Sequence, residues 1–167
     1  MKKKTEPKAP ERLVDQYFES YENVYQQVTN KWLVYASIPV MLFGLIAFVW
    51  AIPFPHLQFL GRYNGFINWA SFLIAILIYY YLRLSPVASY ILLFLLFGFS
   101  YIIIQLEQWQ KVGSTPLWLV GLVLLLLGLG AQFTLLSFVR GNNYLQLLLK
   151  APLWFIINVI KKLKLRY

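Results

Sequence analysis

Leu117–Val139 reads LWLVGLVLLLLGLGAQFTLLSFV, 23 residues without a single charge. A helix needs about 20 mostly apolar residues to cross roughly 30 Å of bilayer hydrocarbon, and this stretch meets that length alone. Working outward from it, only Arg62, Arg83, Glu107 and Lys111 carry charge between Lys31 and Arg140. They divide the segment into charge-free runs of 30, 20, 23, 3 and 28 residues. Four runs are long enough to span, which predicts an all-α, polytopic membrane protein with four transmembrane helices. The spans are placed at about 32–52, 65–82, 86–106 and 117–139.

Composition agrees. The chain is 60% hydrophobic and 13% charged, with a mean hydropathy of +0.62, whereas soluble domains are about a quarter charged. Zero cysteines exclude a disulfide frame, a thiolate metal site and a thiol nucleophile. The net charge of +9 does not point to nucleic acid, because it gathers at the two ends: Lys2, Lys3, Lys4, Lys8 and Arg12, then Lys161, Lys162, Lys164 and Arg166. Basic residues flanking apolar spans set topology and meet anionic headgroups. With four spans both ends share a side, and the Arg83 hairpin adds to its positive charge. That side is expected to be cytoplasmic, in a bacterial inner membrane or a eukaryotic internal membrane. Membrane lipids, and a partner membrane-protein subunit, are the expected partners.

Residues 1–10 (MKKKTEPKAP) read as a disordered basic tail without a cleaved signal peptide. Residues 11–31 form an amphipathic helix expected to lie at the interface: Leu13, Val14, Tyr17, Phe18, Tyr21, Val24, Tyr25 and Val28 recur at steps of three and four. Its opposite face carries Asp15, Gln16, Glu19, Glu22 and Gln26, and five of the chain's six acids precede Lys31. Residues 32–143 make the four-helix transmembrane domain. Pro39 should bend the first span or free a carbonyl near Tyr35. Ser85-Pro86 and Thr115-Pro116 read as N-caps followed by proline at the first helical turn, with Glu107–Thr115 a polar loop. Residues 144–167 hold the apolar run Ala151–Ile160, too short to span, and the basic C-terminus; an interfacial or re-entrant helix is expected.

Little in this chain can do chemistry. The polar residues assigned to the spans are Ser37, Asn68, Ser71, Ser89, Ser100, Gln105, Gln132, Thr134 and Ser137. Such groups usually hydrogen-bond a neighbouring helix. Gln132, Thr134, Asn68 and Ser100 are the candidates for a packing or lipid site, with Gln132 foremost because Gly128, Gly130 and Ala131 precede it. His56, the lone histidine, has no second imidazole or nearby carboxylate to build a metal site. No phosphate loop, dinucleotide fingerprint, serine triad or CxxC pattern occurs.

Two stretches, Tyr17-Phe-Glu-Ser-Tyr21 and Asn30-Lys-Trp-Leu-Val34-Tyr-Ala-Ser37-Ile-Pro39, together with Gln132-Phe133-Thr134-Leu135-Leu136 and the tail Leu148-Leu-Lys-Ala-Pro152-Leu-Trp-Phe, resemble the 2-hydroxy-fatty-acid dioxygenase-like membrane family. The resemblance covers residues 11–163. It implies a helical membrane fold and a reaction that removes one carbon from a 2-hydroxy fatty acid with O₂ and Fe(II). The family's motif histidines, however, fall on Tyr21, Val34 and Leu136, and a base, Arg140, stands near its glutamate. Iron in such enzymes is held by imidazole and carboxylate, so the resemblance implies a degenerate member with no metal, cofactor or catalytic residue. The motif positions that remain are Tyr17, Asn30, Pro39, Gln132 and Phe133. A non-catalytic membrane protein binding lipid or a partner is therefore expected. The alternatives are an active iron-dependent dioxygenase with unaligned ligands, and a small structural or assembly subunit of a membrane complex.

Overall fold

Among the described residues the helices are α1 (Leu13–Gln27), α2 (Lys31–Trp50), α3 (Trp69–Leu84), α4 (Pro86–Lys111), α5 (Leu117–Leu136) and α6 (Tyr144–Lys162). The computed structural model describes residues 12–55, 58, 61, 67–113, 115–136, 144–162 and 164. His56 and the spans' expected ends at 65–66 and 137–139 lie outside the described residues. Among the described residues no strand occurs. Helices α2, α4, α5 and α6 are long and apolar enough to cross a membrane, which fits a multi-pass membrane protein.

The helix boundaries follow local chemistry. Asn68 and Ser71 cap α3 reciprocally, the Asn68 side chain accepting the Ser71 N–H at 3.0 Å and the Ser71 hydroxyl accepting the Asn68 N–H at 3.4 Å. This capping box satisfies N–H groups that a helix start leaves free. Ser85 caps α4 through the Ala88 N–H, with Pro86 in the first turn as the sequence predicts. Helix α4 continues through Glu107–Lys111, which the sequence reading gave to a loop. Glu107 and Lys111 pair at 3.6 Å with the acid four residues N-terminal to the base, the favourable order on a helix. Helix α5 starts after Pro116, whose carbonyl accepts the N–H groups of Leu119 and Val120, and Gln110 Oε1 accepts the Leu117 N–H at 2.8 Å.

Two lengths differ from the sequence reading. Helix α3 has 16 residues, about 24 Å at 1.5 Å per residue. Helix α6 is one unbroken helix of 19 residues that runs through Pro152, not a ten-residue fragment. Its buried residues Leu147, Ala151, Trp154 and Ile157 continue one stripe across the proline, so tertiary packing holds both halves in register.

Contacts show how the helices are laid out. Where α2 ends, Trp50 Nε1–H donates to Glu107 near the end of α4, and Trp69 at the start of α3 donates to the Pro53 carbonyl. At the other end α2 begins, the Ser85 hairpin turns, and α5 finishes beside Val34. Both ends of α6 also lie here: Tyr144 hydroxyl donates to the Leu129 carbonyl late in α5, while Lys162 sits over the Tyr35 ring early in α2. Helix α1 packs on α6, presenting Val14, Phe18, Tyr21 and Val24. Thus α2–α5 run alternately up and down, and α1 and α6 lie together at one end.

The closest helix pair is α2 with α5. A Cβ built on Gly44 would fall 2.3 Å from the Leu125 nitrogen; on Gly121, 2.5 Å from the Phe48 nitrogen; on Gly128, 2.6 Å from Met41 Cα. The three contacts step in opposite directions along the two helices, so the pair is antiparallel. Backbones this close gain dispersion contacts that the lipid-like apolarity of their surroundings cannot supply by itself.

Candidate functional site

The α2–α5 seam brings Gln132 to the end where α1 and α6 lie, and the side chain has no solvent exposure. A buried amide must find partners for two donors and an acceptor. Gln132 Oε1 accepts the Tyr21 hydroxyl of α1 at 2.9 Å, while Nε2 donates to the Val34 carbonyl at 3.1 Å and to Ser37 Oγ at 2.8 Å, both on α2. Ser37 Oγ–H in turn donates to the Val34 carbonyl at 2.8 Å. One turn further, Pro39 supplies no N–H for the Tyr35 carbonyl, yet α2 remains a single helix. Among the described residues no buried side-chain nitrogen or oxygen lacks a partner. Three helices are thus joined through one closed polar knot.

Aromatic rings cover the knot. Trp154 of α6 packs against Tyr21, Tyr25 and Tyr35 with ring centroids 4.9, 4.4 and 6.0 Å away. Its indole N–H donates to Glu22 Oε2 at 2.6 Å, and Gln26 Nε2 donates to the other oxygen of that carboxylate. Burial pushes the Tyr21 phenol well above its ordinary pKa, only partly offset by the hydrogen bond to Gln132. Burial, then the Glu22 charge, also raises Tyr25. Both phenols stay neutral at physiological pH.

Of the residues singled out from the sequence, Tyr21, Val34 and Gln132 come together, with Val34 taking part through its carbonyl. Ser37, one of the polar span residues, joins them through its hydroxyl; Tyr17, Asn30, Phe133, Thr134, Asn68 and Ser100 do not. Tyr17 is half-buried under Lys150, whose Nζ is 5.1 Å from its ring centroid. Asn30 is exposed and precedes α2 without a side-chain capping bond. Phe133 is exposed and meets Tyr144 edge to face at 5.3 Å. Thr134 is exposed and donates back to the Gly130 and Ala131 carbonyls of its own helix. Asn68 serves as the α3 cap, and Ser100 is half-buried on α4, which supplies no partner to Gln132. Leu136 ends α5, and its side chain is outside the described residues. Sequence reasoning missed Trp154 and Glu22, which meet across 132 positions; an acid on a polar helix face carries no mark that a distant indole will claim it.

The knot's donor set does not fit Fe(II). It offers a neutral phenol, an amide, a hydroxyl and a backbone carbonyl, each already engaged, where non-haem iron takes imidazole and carboxylate. Among the described residues no group of three or more His, Cys, Asp or Glu converges. Nor can it act as a general base, since its only titratable member holds its proton.

No family model matches the chain, and neither a curated protein nor a solved structure does.

Proposed function

We propose that this chain is a non-catalytic multi-pass membrane protein that binds lipid, a scaffold resembling the 2-hydroxy-fatty-acid dioxygenase-like family in which Tyr21 and Val34, two of the metal-ligand positions, are given over to packing. The observation that carries this reading is the meeting of Tyr21, Val34 and Gln132 in one satisfied hydrogen-bond knot. Two positions that the resemblance assigns to histidine are joined there through Gln132, one by a phenol and the other by its backbone carbonyl. Metal analysis of the detergent-purified protein is expected to find no stoichiometric iron, and mass spectrometry of the intact protein to find retained lipid. One iron per chain would overturn the non-catalytic reading in favour of a dioxygenase with other ligands. A co-purifying polypeptide in place of lipid would favour an assembly subunit.

The proposal includes an orientation, supported by where the positive charges stand. Lys31, Arg83, Lys150, Lys161 and Lys162 stand at the end where α1 and α6 lie, and Lys111 stands at the other. The positive-inside rule supports a cytoplasmic lysine-rich end, and the proposed arrangement has α1 and α6 at that interface with α2–α5 crossing. A Gln58→Cys variant in sealed, right-side-out vesicles is expected to be labelled by a membrane-impermeant maleimide, and Lys164→Cys only after permeabilisation. Labelling of both from outside would refute the four-span arrangement.

A further inference from the structure

We infer that the cleft between α1, α2 and α6 is a binding site for the phosphate headgroup of an anionic phospholipid; this rests on the lipid-binding reading above and names its site. The cleft has a volume of ≈ 420 Å³ and is lined by Lys31 and Lys162 above Tyr25, Tyr35 and Trp154. Both ammonium groups are positioned: Lys31 Nζ donates to Gln26 Oε1 at 2.8 Å, and Lys162 Nζ sits 4.7 Å from the Tyr35 ring centroid. Neither is ion-paired among the described residues. Each ammonium has three donors, so both retain hydrogens for a phosphate oxygen.

The one carboxylate at the cleft, Glu22, opposes an anion. Its two oxygens accept the Trp154 indole N–H and the Gln26 amide, so they are engaged on their own side of the cleft and do not pair with either lysine. Lys161, 3.5 Å from the Phe18 ring centroid on the same end of α6, adds positive field beyond the cleft.

A lipid fits better than a free anion because a largely apolar groove begins one residue along α2 from the headgroup cleft. Trp32 also lines the cleft and is 76% exposed. The next residue, Leu33, opens a second groove of ≈ 280 Å³ between α2 and α5, walled by Val40, Leu127 and Gly128. A phosphate at Lys31 and Lys162 therefore places an acyl chain beside a groove of matching polarity, at the lysine-rich end where anionic lipid concentrates.

The test uses the full-length protein in a mild detergent with equal amounts of dioleoylphosphatidylglycerol and dioleoylphosphatidylcholine, read by native mass spectrometry. The wild type should retain the anionic lipid preferentially. A basic residue near an anionic surface is worth about fivefold in binding, so Lys31→Gln/Lys162→Gln should cut the preference by about 25-fold. Lys31→Arg/Lys162→Arg should keep it, which separates loss of charge from loss of fold, and Lys111→Gln at the opposite end should leave it unchanged. A preference that survives the double glutamine variant, or falls equally in Lys111→Gln, overturns this site while leaving lipid binding intact. Retention of neither lipid overturns the lipid-binding reading as well.

Discussion

Replacing Gly44 with leucine is expected to prevent α2 and α5 from packing and to cost more than about 3 kcal/mol, the upper range for overpacking a tight interior. The added Cβ alone would meet Leu125 N at 2.3 Å and Leu124 C at 2.8 Å, and these are backbone atoms that no rotamer change can move aside. The two helices must separate, and the separation pulls Gln132 away from Val34 and Ser37 at the end of the same seam. Gly121→Leu should behave alike, because Phe48 N and Ala47 C stand at 2.5 and 2.9 Å. Gly98 and Gly130 have open space at the Cβ position inside their helices, so Gly98→Ala and Gly130→Ala are expected to be neutral or to stabilise by up to about 1 kcal/mol, as Gly→Ala does where a helix has room for the methyl group. Unfolding by increasing SDS fraction in mixed micelles, followed by circular dichroism, measures all four. Equal behaviour of Gly44 and Gly98 variants would contradict the close seam.

Replacing Gln132 with leucine keeps most of the side-chain volume and removes three hydrogen bonds. Such bonds between membrane helices average about 0.6 kcal/mol each, and leaving a buried donor without an acceptor costs about 1–3 kcal/mol. Ser37 keeps its own bond to the Val34 carbonyl, so the Tyr21 hydroxyl is the group left stranded. A loss of about 2–3 kcal/mol is expected in the same unfolding assay. Thr134→Val should change stability by less than about 0.5 kcal/mol, since Thr134 is exposed and its Oγ1 donates to the Gly130 and Ala131 carbonyls of its own helix. The contrast between two polar residues two positions apart on α5 separates a structural role from generic membrane polarity.

The spacing of Arg62, Arg83, Glu107 and Lys111 makes the helical membrane class readable, because burial in hydrocarbon demands long apolar runs whatever packs against them. The Ser85-Pro86 start is equally legible, since a cap is decided by a few adjacent residues. The α4 extension was hidden because Glu107, Gln108, Gln110 and Lys111 are polar, and polarity near a span end fits a loop or one more helical turn equally well. The continuity of α6 was hidden by Pro152, whose cost is offset by contacts to α1 and α2 that sequence spacing does not reveal. At the site, Gln132 stands out as the amide in an apolar helix. Its partners do not, because Tyr21 lies 111 positions away and the Val34 contribution comes from its backbone. Of the glycines that drew attention, Gly128 is in the seam and Gly130 faces open space, a difference of two residues on a helix that only the partner's position decides.

The meeting point of α1, α2 and α5 is a structural knot whose members act as one unit. A double-mutant cycle between Tyr21→Phe and Gln132→Leu tests it most directly, with unfolding free energies measured in mixed micelles for the wild type, both single variants and the pair. Groups sharing a buried hydrogen bond couple by about 0.5–3 kcal/mol, and a coupling of about 1 kcal/mol or more is expected here, the double variant being less impaired than the sum of the singles. Additivity within about 0.3 kcal/mol would mean that Tyr21 and Gln132 do not depend on one another, and would contradict the account.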